Sequence, residues 1–167
     1  MAVLGAGDRR YEDLFRHAAA QHAGRFAAYF GFDPRLAQRL YAGADMLLMP
    51  SRFEPCGLAQ LIALRYGTIP IVRETGGLAD TIRDFDPRND TGFGFVFEPY
   101  DAWHLYGAVV RAVETFKHRS VWEQLVRRAM EQDVSWSSSA RQYVGLYRAA
   151  MAHHGDRRGM AVVMGRA

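Results

Sequence analysis

The sequence predicts an α/β fold: a Rossmann-like parallel sheet with helices on both faces, followed by C-terminal helices. Two observations predict it. Short β-rich apolar runs alternate with segments of helical period as far as residue 97, the pattern of right-handed parallel crossovers. Beyond residue 97 only helical periodicity follows.

The elements follow in order. Residues 2–4 form a short apolar run ending in Gly5-Ala6-Gly7-Asp8, where Arg10 stands in place of the third glycine of a dinucleotide fingerprint. The segment therefore reads as a strand-to-helix turn with Asp8 as N-cap. A helix is expected over residues 11–23, with Tyr11, Leu14, Phe15 and Ala18 inward and Gly24 ending it. Residues 26–30 read as the next strand, Gly31 to Pro34 as a loop, and 35–42 as a short helix. The apolar run 44–49, stopped by Pro50, suits a strand buried on both faces. A polar loop kinked by Pro55 leads to a helix opened by Gly57, with Leu58, Leu61, Ile62 and Leu64 mostly on one side and Gly67 as its stop. Residues 68–72 are β-rich, and Pro70 among them suits the end or edge of a strand. Thr75-Gly76-Gly77 turns into a helix starting at Leu78, and residues 83–91 read as a loop. Residues 92–97 are the last expected strand.

Helices are then expected from the Asp101 cap to Phe116, with Leu105, Ala108, Val109, Ala112 and Val113 inward, and over 120–130, with Trp122, Leu125 and Val126 inward. The serines of 135–139 would cap a final helix whose inward positions are Tyr143, Leu146, Tyr147 and Ala150. The expected organisation is one Rossmann-like domain, 1–152, and a weakly patterned tail, 153–167.

Composition excludes several classes. The net charge of +3 comes from scattered arginines among acids, with Lys117 the sole lysine, so there is no basic stripe for nucleic acid. No apolar run reaches membrane-span length, no leader pattern opens the chain, and one cysteine cannot make an internal disulfide. A cytoplasmic location is the expectation. The sequon at Asn89 reads as chance, and His153-His154 has no third metal ligand nearby in sequence.

Chemistry concentrates in the loops after the third and fourth expected strands. Such loops lie at the same end of a parallel sheet, where open α/β sheets bind ligands. Helix N-termini there offer N–H groups suited to phosphate or sugar oxygens. Gly57, Gly76 and Gly77 carry no side chain and permit close backbone approach. Glu54 sets a carboxylate at the rim, where gripping sugar hydroxyls would give it a task.

Glu54-Pro55-Cys56-Gly57-Leu58 with Gln60 and Leu61, and Thr75-Gly76-Gly77-Leu78-Ala79-Asp80-Thr81, resemble the bacterial glycogen synthase and plant starch synthase family of GT-B glycosyltransferases. Tyr41 to Asp45 and Met49 to Phe53 extend the resemblance, which covers roughly residues 3–151. It implies the second, donor-binding Rossmann-like domain of a retaining enzyme that moves glucose from ADP-glucose to the non-reducing end of an α-1,4-glucan. No cofactor is implied beyond the donor substrate. By the same resemblance Glu54 is the candidate catalytic residue, holding the glucose hydroxyls. Cys56 and Gly57 would offer amides to the sugar, and Thr75, Gly76 and Gly77 would sit against the diphosphate or ribose. Leu58 and Leu78 complete the binding motifs. Phe32 stands where the family places an aromatic against adenine; a plain core aromatic is the other reading. Arg52 and Arg73 serve either the phosphates or a structural salt bridge. Gln60 and Leu61 read as packing.

Two departures matter. Many GT-B transferases carry a second glutamate eight positions after the first; Ile62 stands there, as in the glycogen and starch synthases. The family's diphosphate-gripping Arg and Lys, and its acceptor-binding N-terminal domain, have no counterpart in the sequence. The expectation is a donor-binding half with weak or no transfer alone, the α-glucan acceptor being met by the absent domain. An exposed sheet edge could then mediate self-association. A different nucleotide-sugar donor, and a non-catalytic interaction remnant, remain as alternatives.

Overall fold

The computed structural model describes residues 1–164, with side chains as far as His154. The chain divides into two compact units, Met1–Glu131 and Gln132–Ala167. In the first unit β1 (Ala2–Gly5), α1 (Arg9–Gln21), β2 (Ala27–Phe30), α2 (Pro34–Gly43), β3 (Met46–Met49) and α3 (Ala59–Tyr66) follow one another. They lead to β4 (Ile69–Arg73), α4 (Gly76–Thr81), β5 (Phe95–Phe97), α5 (Ala102–Phe116) and α6 (Arg119–Met130). The second unit holds α7 (Trp136–Met164).

Local signals set the helix starts. Asp8 accepts from the Arg10 amide at 2.8 Å and Asp33 from the Leu36 amide at 2.9 Å. Asp101 accepts from the amides of Trp103 and His104. The His104 ring and these two amides hold the Asp101 carboxyl below the usual carboxylate range. Gly67 closes α3 in the left-handed region at φ 77°.

Every strand pairing is parallel, and helices cover both faces, as expected. The strands form two hydrogen-bonded blocks, β1–β2 and β3–β4–β5. The Gly31 amide donates to the Gly5 carbonyl and the Ile69 amide to the Asp45 carbonyl. Backbone groups alternate sides along a strand. Ala2 and Leu4 of β1, and Met46 and Leu48 of β3, therefore direct their amides and carbonyls away from their paired neighbours.

Pro70 lies inside the central strand β4, not at an end or edge. The alternation explains its tolerance: Ile69 faces β3, so the nitrogen of Pro70 faces β5, whose ladder begins one residue later at Ile71↔Phe95. No ladder bond is lost.

The core centres on β4 and β5. Ile69, Ile71, Val72, Phe95 and Phe97 pack with Leu64, Leu78, Trp122 and Leu125. Phe95 meets Phe85 edge-on at 5.9 Å and stacks with Trp122 at 6.5 Å. Among the described residues none before Gln60 is buried. Tyr11 and Leu14, expected inward, are exposed; α1 packs mainly along β2. Val113 also faces solvent.

The final helix departs furthest from expectation. Tyr143, Leu146 and Tyr147 are 58–62% exposed and Ala150 is exposed as well. Helical period locates an apolar stripe but does not supply the surface that would cover it. Ser135 does cap its start, its hydroxyl accepting from the Ser138 amide at 3.3 Å. The helix runs through the expected boundary at 152/153; residues 165–167 of the expected tail lie outside the described residues. No described helix is long and apolar enough to cross a membrane.

Leu125, fully buried in α6, and Leu146, exposed in α7, give a matched test of where stability resides. Leu125→Ala is expected to cost about 2–5 kcal/mol. Leu146→Ala should change stability by less than about 0.5 kcal/mol. Urea unfolding followed by circular dichroism distinguishes the two.

Candidate active site

β3 and β4 are adjacent and parallel, so the loops that leave their C-terminal ends emerge side by side. The first, residues 51–58, carries Glu54, Cys56, Gly57 and Leu58; the second carries Thr75 into Gly76 and Gly77. The Gly77 amide donates to the Glu54 carbonyl at 3.0 Å. A Cβ on Gly76 would lie 2.1 Å from the Glu54 carbonyl oxygen, and one on Gly77 would lie 1.8 Å from that of Cys56. The close approach that these glycines were expected to allow is thus made by the neighbouring loop. Gly76 also sits at φ 44°, in the left-handed region.

Glu54 and Gly57 are half-buried and Cys56, a free thiol, is exposed. Leu58 is exposed, whereas Leu78 is fully buried and belongs to the core. The Leu78 amide donates to the Thr75 carbonyl at 3.1 Å. Neither Leu58 nor Thr75 caps the helix behind it with its side chain. The first turns of α3 and α4 therefore have no side-chain acceptor at their leading amides, and both start at the loop pair. Phe32 follows β2 and is 93% exposed, which removes the core reading and leaves its ring face open.

Arg73 makes no salt bridge among the described residues. Its guanidinium donates to the carbonyls of Ser51 at 2.8 Å, Arg52 at 2.5 Å and Glu98 at 3.3 Å, and lies over the Tyr100 ring. It ties the root of the first loop to the ends of β4 and β5. Sequence reasoning took Gln60 for packing and gave Thr81 no role beyond its place in the motif. Gln60 is fully buried, and its amide reaches the Cys56 and Gly57 carbonyls and the Thr81 hydroxyl. The signal was a lone amide among Leu61, Ala63 and Leu64. Among the described residues no three His, Cys, Asp or Glu side chains gather as a metal set.

The loop pair suits an oxygen-rich ligand: backbone amides at the start of α3 and one carboxylate. Its integrity depends on the missing Cβ of Gly77. Gly77→Ala is expected to destabilise the protein by at least about 1–3 kcal/mol, as overpacking does. Gly107→Ala, in a helix with nothing within 4 Å of the added carbon, should stabilise by about 0.5–1 kcal/mol. Urea midpoints for the two variants should move in opposite directions.

Residues 1–128 match the family model "Glycosyl transferases group 1". The chain is 56% identical over 163 residues to a glycogen synthase of Desulforudis audaxviator, covering 97% of this chain and 33% of that protein. It is 49% identical over 155 residues to a glycogen synthase of Gloeobacter violaceus, covering 93% and 34%. Among solved structures it resembles the catalytic domain of starch synthase IV from Arabidopsis thaliana bound to ADP and acarbose. That match has a TM-score of 0.76 at 36% identity over 90% of this chain and 32% of the other. Sucrose-phosphate synthase from Thermosynechococcus elongatus shares the fold, with a TM-score of 0.63, 24% identity, and coverage of 91% and 38%. The chain spans about a third of the length of the curated relatives it matches. With its Rossmann-like sheet and paired loops, it belongs to the glycosyl transferases group 1 family.

Proposed function

We propose that this chain is the donor-binding part of a glucan synthase that transfers glucose from ADP-glucose to the non-reducing end of an α-1,4-glucan with retention. The observation that carries the reading is the interlocked loop pair at the ends of β3 and β4, in a chain 56% identical to a glycogen synthase. The related starch synthase was solved with ADP, and an ADP moiety fits the chemistry here. Amides at the start of α3 would meet the diphosphate and sugar oxygens. The Glu54 carboxylate would accept from glucose hydroxyls, and Phe32 would stack on adenine.

A retaining transfer of this kind needs the leaving diphosphate stabilised and the anomeric carbon held in place, so positioning and preorganised dipoles supply the catalysis. Cys56 serves through its backbone; its sulfur has no step to perform. The relatives are about three times as long. We assign the acceptor wall of the cleft to the length this chain does not span, and weak or no transfer to these residues alone.

Isothermal titration with ADP-glucose, with UDP-glucose alongside, tests the reading. Saturable ADP-glucose binding, weakened about tenfold or more by Glu54→Ala, is expected. Stronger UDP-glucose binding would indicate a different donor, and no binding by the folded chain would indicate a non-catalytic interaction module.

The outward-facing backbone of β1 and β3 also supports self-association through a sheet edge, since unpaired strand edges template further pairing. Sedimentation velocity should show a species that grows with concentration. It should be diminished by Leu4→Pro, which removes an outward amide and leaves the ladder to β2 intact. A monomer at every concentration would overturn this.

A further inference from the structure

Gln60 is 0% exposed on the first turn of α3. Its Nε2 donates to the carbonyls of Cys56 at 3.1 Å and Gly57 at 2.9 Å, and to the Thr81 hydroxyl at 3.2 Å. The Thr81 hydroxyl in turn donates to the Gly77 carbonyl at 2.5 Å. Meanwhile Gln60 Oε1 is buried without a partner. Burying an amide with one end unsatisfied is unfavourable, and packing alone would not select it. What the residue accomplishes is a continuous chain of hydrogen bonds from the first loop, through Gln60 and Thr81, to the second.

The direction of those bonds matters. In a trans peptide the carbonyl and the following amide point opposite ways. Drawing the Cys56 and Gly57 carbonyls toward Gln60 therefore turns the amides of Gly57 and Leu58 away from it. Two successive carbonyls can converge on one donor here because the backbone changes hand: Gly57 has φ 71°, and Leu58 follows at φ −114°, ψ −23°. Successive residues of opposite hand gather their amides into a concavity suited to an anion. A Cβ on Gly57 would lie 2.5 Å from Gln60 Oε1, so glycine and glutamine fit as a unit.

We infer that Gln60 and Thr81 form a positioning pair that aims the Gly57 and Leu58 amides and fixes the spacing of the two loops around the donor. This rests on the donor-binding reading above and assigns to buried residues the control of that site. Neither side chain touches the ligand; both act through the backbone they hold.

The test combines hydrogen exchange on the unliganded protein with ADP titration of the same samples. The variants are Gln60→Leu, Thr81→Val and Thr81→Ser. Faster exchange confined to residues 54–58 and 76–81 is expected in Gln60→Leu and Thr81→Val, with ADP binding weakened about tenfold. Thr81→Ser, which keeps the hydroxyl, should behave as wild type in both measurements. Should Gln60→Leu fail to fold, the two Thr81 variants carry the comparison alone. Unchanged exchange in folded variants would overturn the pair as a clamp. Faster exchange with unchanged ADP affinity would reduce it to a structural link and overturn the positioning role. A wild-type protein that binds no ADP would remove the donor reading, and the positioning role with it. That failure is distinguishable because the exchange result stands without ligand.

Discussion

The close passage of one loop over another is the constraint on which the rest of the site depends. Gly76 and Gly77 lie so near the Glu54 and Cys56 carbonyls that no side chain fits between them. Close-packed interiors transmit a displacement of even one methylene, so a shift in either loop moves both. The loops in turn grow from β3 and β4, whose parallel register sets their starting points. Arg73 secures the root of the first loop by gathering the Ser51, Arg52 and Glu98 carbonyls around one guanidinium. A rigid, planar donor with several N–H groups is suited to this, and its fixed charge needs no acidic partner when three carbonyl dipoles face it.

Hydrogen bonds around the site form two tiers. Near the strand ends Arg73 holds carbonyls that face the sheet; farther out, Gln60 and Thr81 hold carbonyls of the loop itself. Both tiers use side-chain donors and backbone acceptors, so neither consumes the Gly57 and Leu58 amides at the rim. That polarity matches a ligand carrying negative oxygens. Glu54 adds a carboxylate acceptor, the partner that the hydroxyl groups of the proposed donor would require.

Much of this was legible in the sequence wherever the signal was local. Asp8 and Asp101 cap helices because a carboxylate two or three residues before an amide needs only its own turn. The glycines of the second loop announced close approach, but their neighbour was hidden: the contact joins residues about twenty apart through a parallel crossover, which no local pattern encodes. Pro70 misled for a related reason. Its acceptability depends on where β5 begins, more than twenty residues later. Gln60 looked like packing because burial and periodicity are shared by packing and bridging side chains; only the position of Thr81 separates them. Tyr143 and Leu146 show the opposite limit, an apolar stripe with helical spacing and no burial.

Burial is distributed unevenly along the first unit, and the distribution has a consequence for the site. Every buried residue among those described lies at or beyond Gln60; the first loop, residues 51–58, comes just before it and is tied to that part through the Gln60 side chain and the Gly77 amide. The β1–α1–β2 segment, which leads into Phe32, contributes none. Elements with few buried apolar contacts open at lower free energy than those in the core. The groups suited to diphosphate and sugar are therefore mounted on the rigid part of the fold, while the aromatic ring suited to a base stands on the softer part. Phosphate and sugar recognition depends on the direction of hydrogen bonds and gains from a fixed frame. Stacking on a ring depends on area and tolerates sliding. The division of stiffness thus follows the division of chemistry, with geometric precision placed where a transferred sugar would need it.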